Sequence, residues 1–208
     1  MSKEEILEKA IGAFARDGFD AMSMRELNRT LGVSHNWLHH HFETKQKLWE
    51  ESIDYAFGTL QKKLTKVIKT MPNPKSPLER LKNIIVTFVT VASRSPSAIS
   101  IILQEASSDG PRLNYILDKY FVSMIRTGRP LFDAAIHAQL LKPLPWRSTI
   151  IGTLTGAASV YALSPLVKRL GGGDPLTPEA IEEHAEAVAE IVLHGVTMRS
   201  PQEAPADH

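Results

Sequence analysis

A dense run of ring and amide side chains lies between residues 34 and 42, where the sequence reads SHNWLHHHF. Imidazole, amide and indole groups form hydrogen bonds, so such a run could contact base edges and phosphates or hold a metal ion. Consecutive residues on a helix point about 100° apart, so His39, His40 and His41 cannot converge on one ion. His35 and His39 are a better pair, but no carboxylate completes it at a clear spacing. We therefore predict no metal site here.

Two short helices are predicted to position this run. Ser23 and Glu26 form a capping box for a helix that ends at Gly32, and Ser34 caps a third helix that reaches about His41. The apolar residues spaced to face inward are Leu27, Leu31, Val33, Leu38 and Phe42. The residues left facing outward are His35, Asn36, Trp37, His39 and His40. This pattern predicts a helix-turn-helix whose second helix can enter a major groove about 12 Å wide.

The rest of the chain also has helical periodicity, and breakers divide it into an all-α fold of about nine helices. A first helix is predicted from Ser2 to Asp17, and Thr44 caps a long fourth helix. The later helices are expected over 78–94, 97–107, 112–141 with a kink near Gly128 and Pro130, 146–170 and 178–198. We predict a three-helix, homeodomain-like DNA-binding domain over 1–46, a helical ligand-binding and dimerisation domain over 47–199, and a disordered tail over 200–208.

Composition excludes several classes of function. The 208 residues contain no cysteine, so disulfides, thiolate metal sites and cysteine nucleophiles are excluded. Neither a glycine-rich phosphate loop nor a His–Glu zinc signature is present, and we predict neither an enzyme nor a cofactor. Apolar stretches at 84–92 and 149–163 are shorter than the roughly 20 residues that span a bilayer, and the acidic start is unlike a signal peptide. We expect a cytoplasmic protein without a membrane partner.

Charge gives no bulk attraction to DNA. The whole chain has a formal net charge of +1, and residues 1–50 contain seven Lys and Arg against eight Asp and Glu. Affinity for phosphates must therefore come from the local placement of basic side chains.

A family resemblance rests on residues in and around the helix-turn-helix. The elements are Gly32-Val33-Ser34, Leu38, His41-Phe42 and Lys45, with Phe14, Gly18 and Phe19 upstream. In this order and spacing they resemble the tetracycline-repressor (TetR) family over roughly the first 50 residues. Beyond them only the number and order of the helices are similar. The resemblance implies a repressor that binds a palindromic operator as a dimer.

The resemblance also implies roles for individual residues. Arg25, His35, Asn36 and Trp37 would reach bases, whereas His39 and Lys45 would hold phosphates. The complete DNA-binding prediction consists of Arg25, Ser34, His35, Asn36, Trp37, His39, His40 and Lys45.

The resemblance places a small effector in the carboxyl-terminal domain. It would enter between the fourth and seventh helices and move the fourth. Because the predicted inner faces have few charges, we expect an apolar or aromatic effector. The candidate lining residues are Phe57, Phe88, Tyr115, Tyr120, Phe121, Met124, Phe132, His137 and Tyr161.

The last two long helices are expected to pair across the two-fold axis of a dimer. Gly152 and Gly156 give the first of them a smooth face, which could instead pack within one chain. The expected partner stripe on the last helix is Ile181, Ala185, Val188, Val192 and Val196.

Three residues depart from the family pattern. The family usually has alanine at Asn28, a small residue at Asn36 and tyrosine at His39. These departures leave open an alternative, a TetR-like helical ligand-binding protein with weak or lost DNA binding.

Overall fold

The computed structural model describes residues 2–70, 76–171 and 173–197. Over these ranges the chain forms eleven α-helices and one π-helical turn, and no strand. The helices are α1 Lys3–Asp17, α2 Met24–Leu31, α3 His35–Phe42, α4 Lys45–Thr70, α5 Pro77–Ala92, α6 Pro96–Glu105, α7 Pro111–Ile116, α8 Val122–His137, α9 Trp146–Ala162, α10 Ser164–Arg169 and α11 Pro178–Val196. The all-α prediction is confirmed. The predicted tail over 200–208 lies outside the described residues.

Side-chain caps set the beginnings of the first four helices. The hydroxyl oxygens of Ser2 and Ser23 accept the backbone N–H of the residue three positions later, and each capping box is complete. Ser34 accepts the N–H of Trp37 at 3.2 Å, and Thr44 accepts that of Lys47 at 3.1 Å. The predicted amino-terminal caps are therefore confirmed, because each satisfies a backbone donor that the helix leaves without a partner.

The predicted helix over 112–141 is helical from Pro111 to His137, but it is not a continuous α-helix. A π-helical turn at Leu117–Phe121 separates α7 from α8, and the N–H of Val122 donates to the carbonyl of Leu117, five residues earlier. Helix α8 then continues through Pro130, where the kink was expected. Periodicity did not reveal the turn, because one π turn shifts the helical register without a breaker residue.

The predicted helix over 146–170 is divided in the structure. Leu163 has φ −95° and ψ 21°, which ends α9 before α10 begins at Ser164. Pro165 explains the division, because proline lacks the N–H that would continue the helical hydrogen bonds and its ring crowds the preceding turn.

The helices pack around two hydrophobic cores. The first contains residues of α1, α2, α3, α4, α6 and α7. Its fully buried side chains include Phe14, Leu38 and Trp49. The second joins α5, α6, α9 and α11 around Tyr161. Ile102 of α6 packs against both cores. Helix α6 therefore contributes to both cores, and α4 and α5 also contact each other across them.

Within the described ranges, no single helix has the length and apolar character needed to cross a membrane. Helices α5 and α6 meet that test only as a pair, by length and composition, across a bend of 96°.

Candidate nucleic-acid interface

A tight turn joins α2 to α3. Gly32 has φ 70° and ψ 31°, a left-handed conformation that glycine adopts without steric cost. Its N–H donates to the carbonyl of Asn28 at 3.0 Å, and the N–H of Val33 donates to the same carbonyl at 3.1 Å. These bonds end α2 and direct the chain at once into α3.

The inner faces of α2 and α3 pack together through buried apolar side chains. Leu27 and Leu31 of α2 and Leu38 and Phe42 of α3 are at most 1% exposed, and Val33 is half-buried. The predicted inward set is therefore confirmed, and α3 has a fixed orientation relative to α2.

The opposite face of α3 presents polar groups. Asn36, His39 and His40 are exposed, as the spacing predicted. The side chain of His35 lies outside the described residues. Ser34 is exposed and its hydroxyl caps α3. The structure thus brings three of the predicted outward side chains onto one accessible helix.

Trp37 differs from the sequence prediction because it is only half-exposed and packs against the first core. Its indole stacks on the imidazole of His41, with ring centroids 3.7 Å apart and planes 15° apart. The Nδ1 atom of His41 donates to the carbonyl of Trp37 at 2.8 Å. The four-residue spacing on one helix brings these rings together. The predicted outward position of Trp37 is therefore corrected to a half-buried position at the edge of the exposed face.

Lys45 binds within the protein. Its ammonium donates to the carbonyl of Phe19 at 2.8 Å and lies 4.1 Å from the centroid of the Phe19 ring. The guanidinium of Arg112, from α7, lies 4.3 Å from the same centroid. Phe19 therefore binds two cations by cation–π contacts, and Lys45 fixes the start of α4 against the loop after α1.

Other basic side chains of the helix-turn-helix region are more accessible than Lys45. Arg25 is exposed, as predicted, and Arg29 is exposed four residues later on the same face of α2. Lys47 is exposed in the first turn of α4. The sequence prediction omitted Arg29 and Lys47, although a four-residue spacing from Arg25 is a signal that could have found Arg29.

Asn28 is a buried polar residue of α2, with 9% of its surface exposed. No hydrogen-bond donor in the described part of the chain reaches its Oδ1 atom. An unpaired buried amide oxygen destabilises a protein. The atypical residue that the sequence singled out therefore lies in an unfavourable environment.

Polar contacts join the helix-turn-helix unit to α6 and α7. Arg112 binds Glu105 at 2.8 Å and Asp20, in the loop before α2, at 3.1 Å. The side-chain amide of Gln104 donates to the carbonyl of Ala15 at 2.7 Å. A cavity of about 320 Å³ opens at this junction, and none of the nine predicted effector residues lines it.

The predicted effector residues lie in several places rather than around one cavity. Phe57, Tyr115, Tyr120 and Phe121 belong to the first core or pack against it. The second core contains Tyr161, with Phe88 packed against it.

Three further candidates belong to neither group. Phe132 contacts Trp146, with ring centroids 5.1 Å apart, and His137 is exposed at the end of α8. The side chain of Met124 lies outside the described residues.

A polar cluster that the sequence did not reveal lies between α4 and the π turn. The carboxylate of Asp54 accepts hydrogen bonds from the Tyr115 hydroxyl at 2.8 Å and the Lys119 ammonium at 2.6 Å, and from the Tyr120 hydroxyl. Burial disfavours the charged carboxylate, yet the bonds from Lys119, Tyr120 and Tyr115 outweigh burial and lower the pKa of Asp54 below its ordinary value. We call these four residues the Asp54 cluster.

The faces of α9 and α11 divide differently from the prediction. Ala185, Val188 and Val196 are buried within the protomer, so the predicted partner stripe packs inside the chain. On the outer faces, Ile151 of α9 is 60% exposed and Ile191 of α11 is 72% exposed.

Comparisons with known proteins agree with this architecture. Residues 6–51 match the sequence profile described as bacterial regulatory proteins, tetR family. The HTH-type transcriptional repressor KstR2 of Mycolicibacterium smegmatis is 24% identical over 213 residues, which cover 94% of this chain and 90% of the relative.

Solved structures share the fold. The structure of the ketosteroid transcriptional regulator KstR2 of Mycobacterium tuberculosis superimposes with a TM-score of 0.66 at 22% identity, covering 95% of this chain and 96% of that one. AibR, solved in complex with isovaleryl coenzyme A and operator DNA, has a TM-score of 0.67 at 19% identity, covering 89% and 95% of the two chains.

The fold and the exposed face of α3 define a helix-turn-helix protein. Residues 6–51 match the tetR family profile, and the chain is similar to the transcriptional repressor KstR2 along most of its length. The chain is therefore similar to transcriptional regulators of the TetR family.

Proposed function

We propose that this regulator is a repressor that binds a palindromic operator as a homodimer and responds to a small effector. The observation that carries the proposal is the division of α3 into two faces. Leu38 and Phe42 are buried, whereas Asn36, His39 and His40 are exposed on a helix that a capped turn holds rigidly. A rigid helix with accessible polar groups suits major-groove recognition.

In this proposal residues 1–46 bind DNA, and residues 47–199 bind the effector and form the dimer. The predicted DNA-binding residues keep their proposed roles, with Arg25 at the bases and His39 at a phosphate. Lys45 would hold a phosphate with the donors that Phe19 leaves available. The first core continues beyond residue 46 into α4 and α6, so movement of these helices would be transmitted to α3.

The dimer is proposed to form through the outer faces of α9 and α11. Ile151 and Ile191 are exposed there, and an added Cβ at Gly152 or Gly156 would meet no atom within 4 Å. Small residues allow helices of two protomers to approach closely, and exposed isoleucines gain from burial. A two-fold dimer would present two copies of α3 roughly one DNA turn, about 34 Å, apart.

The effector is proposed to be a small apolar or aromatic molecule that binds in the carboxyl-terminal domain and moves α4. AibR, which has a similar fold, was solved in complex with isovaleryl coenzyme A and operator DNA, and this supports the proposal of an effector site. Such a regulator would act in the cytoplasm, where the chromosome is.

Operator selection from random duplex DNA at low salt tests the proposal, followed by titration of the enriched sequence across a salt series. We expect a palindrome whose binding weakens steeply with salt, since each neutralised phosphate contributes a slope of about −0.9. Arg25→Met should weaken binding, whereas Arg80→Met, an exposed change on α5, should not. Enrichment of no sequence at any salt concentration would contradict the proposal.

The alternative is a TetR-like ligand-binding protein that has weak or lost DNA binding. The hydrogen bond of Lys45 to Phe19 and the unpaired amide oxygen of Asn28 favour it. If no operator is selected, the same selection repeated on Asn28→Ala with His39→Tyr distinguishes the two. Enrichment only in this variant supports the alternative, because two family residues would then have restored binding.

A further inference from the structure

The Asp54 cluster consists of three hydrogen-bond donors gathered around one carboxylate. Tyr115, Lys119 and Tyr120 all belong to the segment from α7 into the π turn, whereas Asp54 comes from α4. The Lys119 ammonium also contacts the Tyr115 hydroxyl at 2.9 Å. Two hydroxyls and an ammonium around both oxygens of a carboxylate are a complete recognition set for that group.

The π turn makes this convergence possible. In an α-helix, residues five apart point about 140° away from each other, so Tyr115 and Tyr120 could not bind the same oxygen. A π turn encloses an extra residue and brings side chains five apart close to one face. Both tyrosines in fact bind the Oδ1 atom of Asp54.

The cluster is partly exposed to water, one aromatic ring packs against it, and exposed apolar residues are close to it in sequence. About a third of the Asp54 side chain and nearly half of the Lys119 side chain are exposed, so another anion can reach them from solvent. The aromatic ring of Phe57 lies 4.9 Å from that of Tyr120. Leu117 at the start of the π turn and Val122 and Ile125 just after it are exposed apolar side chains.

We propose that the Asp54 carboxylate occupies the site of a carboxylate-bearing apolar effector, which displaces it from Tyr115, Lys119 and Tyr120. The effector's carboxylate takes the three donors, and its apolar part covers Leu117, Val122 and Ile125. Charge complementarity selects an anion over an amine, because the donors that remain after Asp54 leaves include the Lys119 ammonium.

Displacement would connect binding to the response. Asp54 lies nine residues after the start of α4, whose first turns pack in the same core as α3. When Asp54 loses its three donors, α4 loses its polar attachment to the π turn and can change its position. This inference rests on the proposed function, since the response to be explained is the proposed effect of the effector on operator binding.

Calorimetry on the full-length protein without DNA tests the effector class with decanoate, decanol and decylamine, which share one apolar chain. We expect decanoate to bind at least about tenfold more tightly than decanol, the equivalent of one charged hydrogen bond. Lys119→Met and Tyr120→Phe should each weaken decanoate binding about five- to tenfold and leave decanol binding unchanged.

Asp54→Asn gives the opposite expectation. Removing the competing charge should tighten decanoate binding about tenfold, because an internal occupant lowers apparent affinity. Lys63→Met, an exposed change farther along α4, should have no effect. Thermal unfolding verifies that each variant is folded, and Lys119→Met, on an exposed side chain, tests the proposal even if Asp54→Asn is unstable.

Equal binding of decanoate and decanol, tighter binding of decylamine, weaker binding of decanoate to folded Asp54→Asn, or no binding of decanoate would each overturn the proposal. Calorimetry requires no DNA and operator selection requires no effector. Failure of the effector class is therefore distinguishable from failure of the proposed repressor function.

Discussion

At the scale of single residues, Asn28 is a polar group in an apolar place. Its Oδ1 atom has no donor among the described residues, and it lies inside α2, where alanine has the highest helix propensity. We expect Asn28→Ala to raise the free energy of unfolding by about 1 kcal/mol, measured by urea denaturation. Thr30→Ala, on the exposed face of the same helix, is the control for propensity alone. The prediction would be contradicted if the free energy of unfolding of Asn28→Ala were lower than that of Thr30→Ala.

Tyr161 is a second buried polar group. It is 1% exposed, its hydroxyl has no partner within the described chain, and burial raises its pKa to about 12. An unfolded tyrosine ionises near pH 10, so the folded state keeps its proton where the unfolded state loses it. The contribution of Tyr161 to the free energy of unfolding is therefore fully present below about pH 10. It is lost as the pH rises from about 10 to about 12.

Tyr161→Phe should remove this alkaline loss and raise stability at pH 7 by up to about 1 kcal/mol, because an unpaired hydroxyl is deleted. Urea denaturation at pH 7 and pH 11 measures both effects. Tyr55→Phe deletes the same atom from a half-buried position and serves as the control. If Tyr161→Phe and Tyr55→Phe change the free energy of unfolding equally at both pH values, the Tyr161 hydroxyl is hydrogen-bonded and the prediction fails.

Much of the candidate interface could be predicted from residue spacing. The inward positions of Leu27, Leu31, Leu38 and Phe42 follow from helical geometry, which is local. The binding of Lys45 to Phe19 could not be predicted, because it joins residues 26 positions apart through a loop whose path depends on the packed core.

At the scale of elements, caps and breaker residues made most helices predictable, whereas the π turn could not be predicted. Ser2, Ser23, Ser34 and Thr44 each act within three residues, so the sequence contains the whole signal. The π turn at Leu117–Phe121 accompanies contacts of Tyr115 and Tyr120 with α4, more than 60 residues away in sequence. Periodicity within one segment contains no information about that partner.

The turn between α2 and α3 gives a prediction at this scale. Gly32→Ala should lower the free energy of unfolding by about 1 kcal/mol, because a side chain is strained at φ 70°. Gly12→Ala is the same chemical change inside α1, where an added Cβ meets no atom within 4 Å, and it should raise stability by about 0.5–1 kcal/mol. Thermal denaturation of both variants checks the opposite signs, and equal signs would refute the role of the turn.

At the scale of the whole molecule, the exposed isoleucines predict the mode of assembly. Ile191→Glu should raise the dimer dissociation constant at least about tenfold, since a buried apolar contact is replaced by a charge. Val67→Glu places the same charge on an exposed apolar residue of α4 and should leave assembly unchanged. Sedimentation velocity over a range of concentrations provides the measurement. A monomeric wild type, or equal effects of the two variants, would exclude this dimer surface.

The contacts of Phe19 have a consequence for hybrid regulators, in which the DNA-binding part of one protein is joined to the sensing part of another. Lys45 at the start of α4 and Arg112 on α7 both bind the Phe19 ring, and Arg112 also binds Asp20. A hybrid joined at residue 46 keeps the first contact and loses both of the others. A functional hybrid must therefore transfer α7 together with the DNA-binding part, or supply an arginine at the matching position of the recipient.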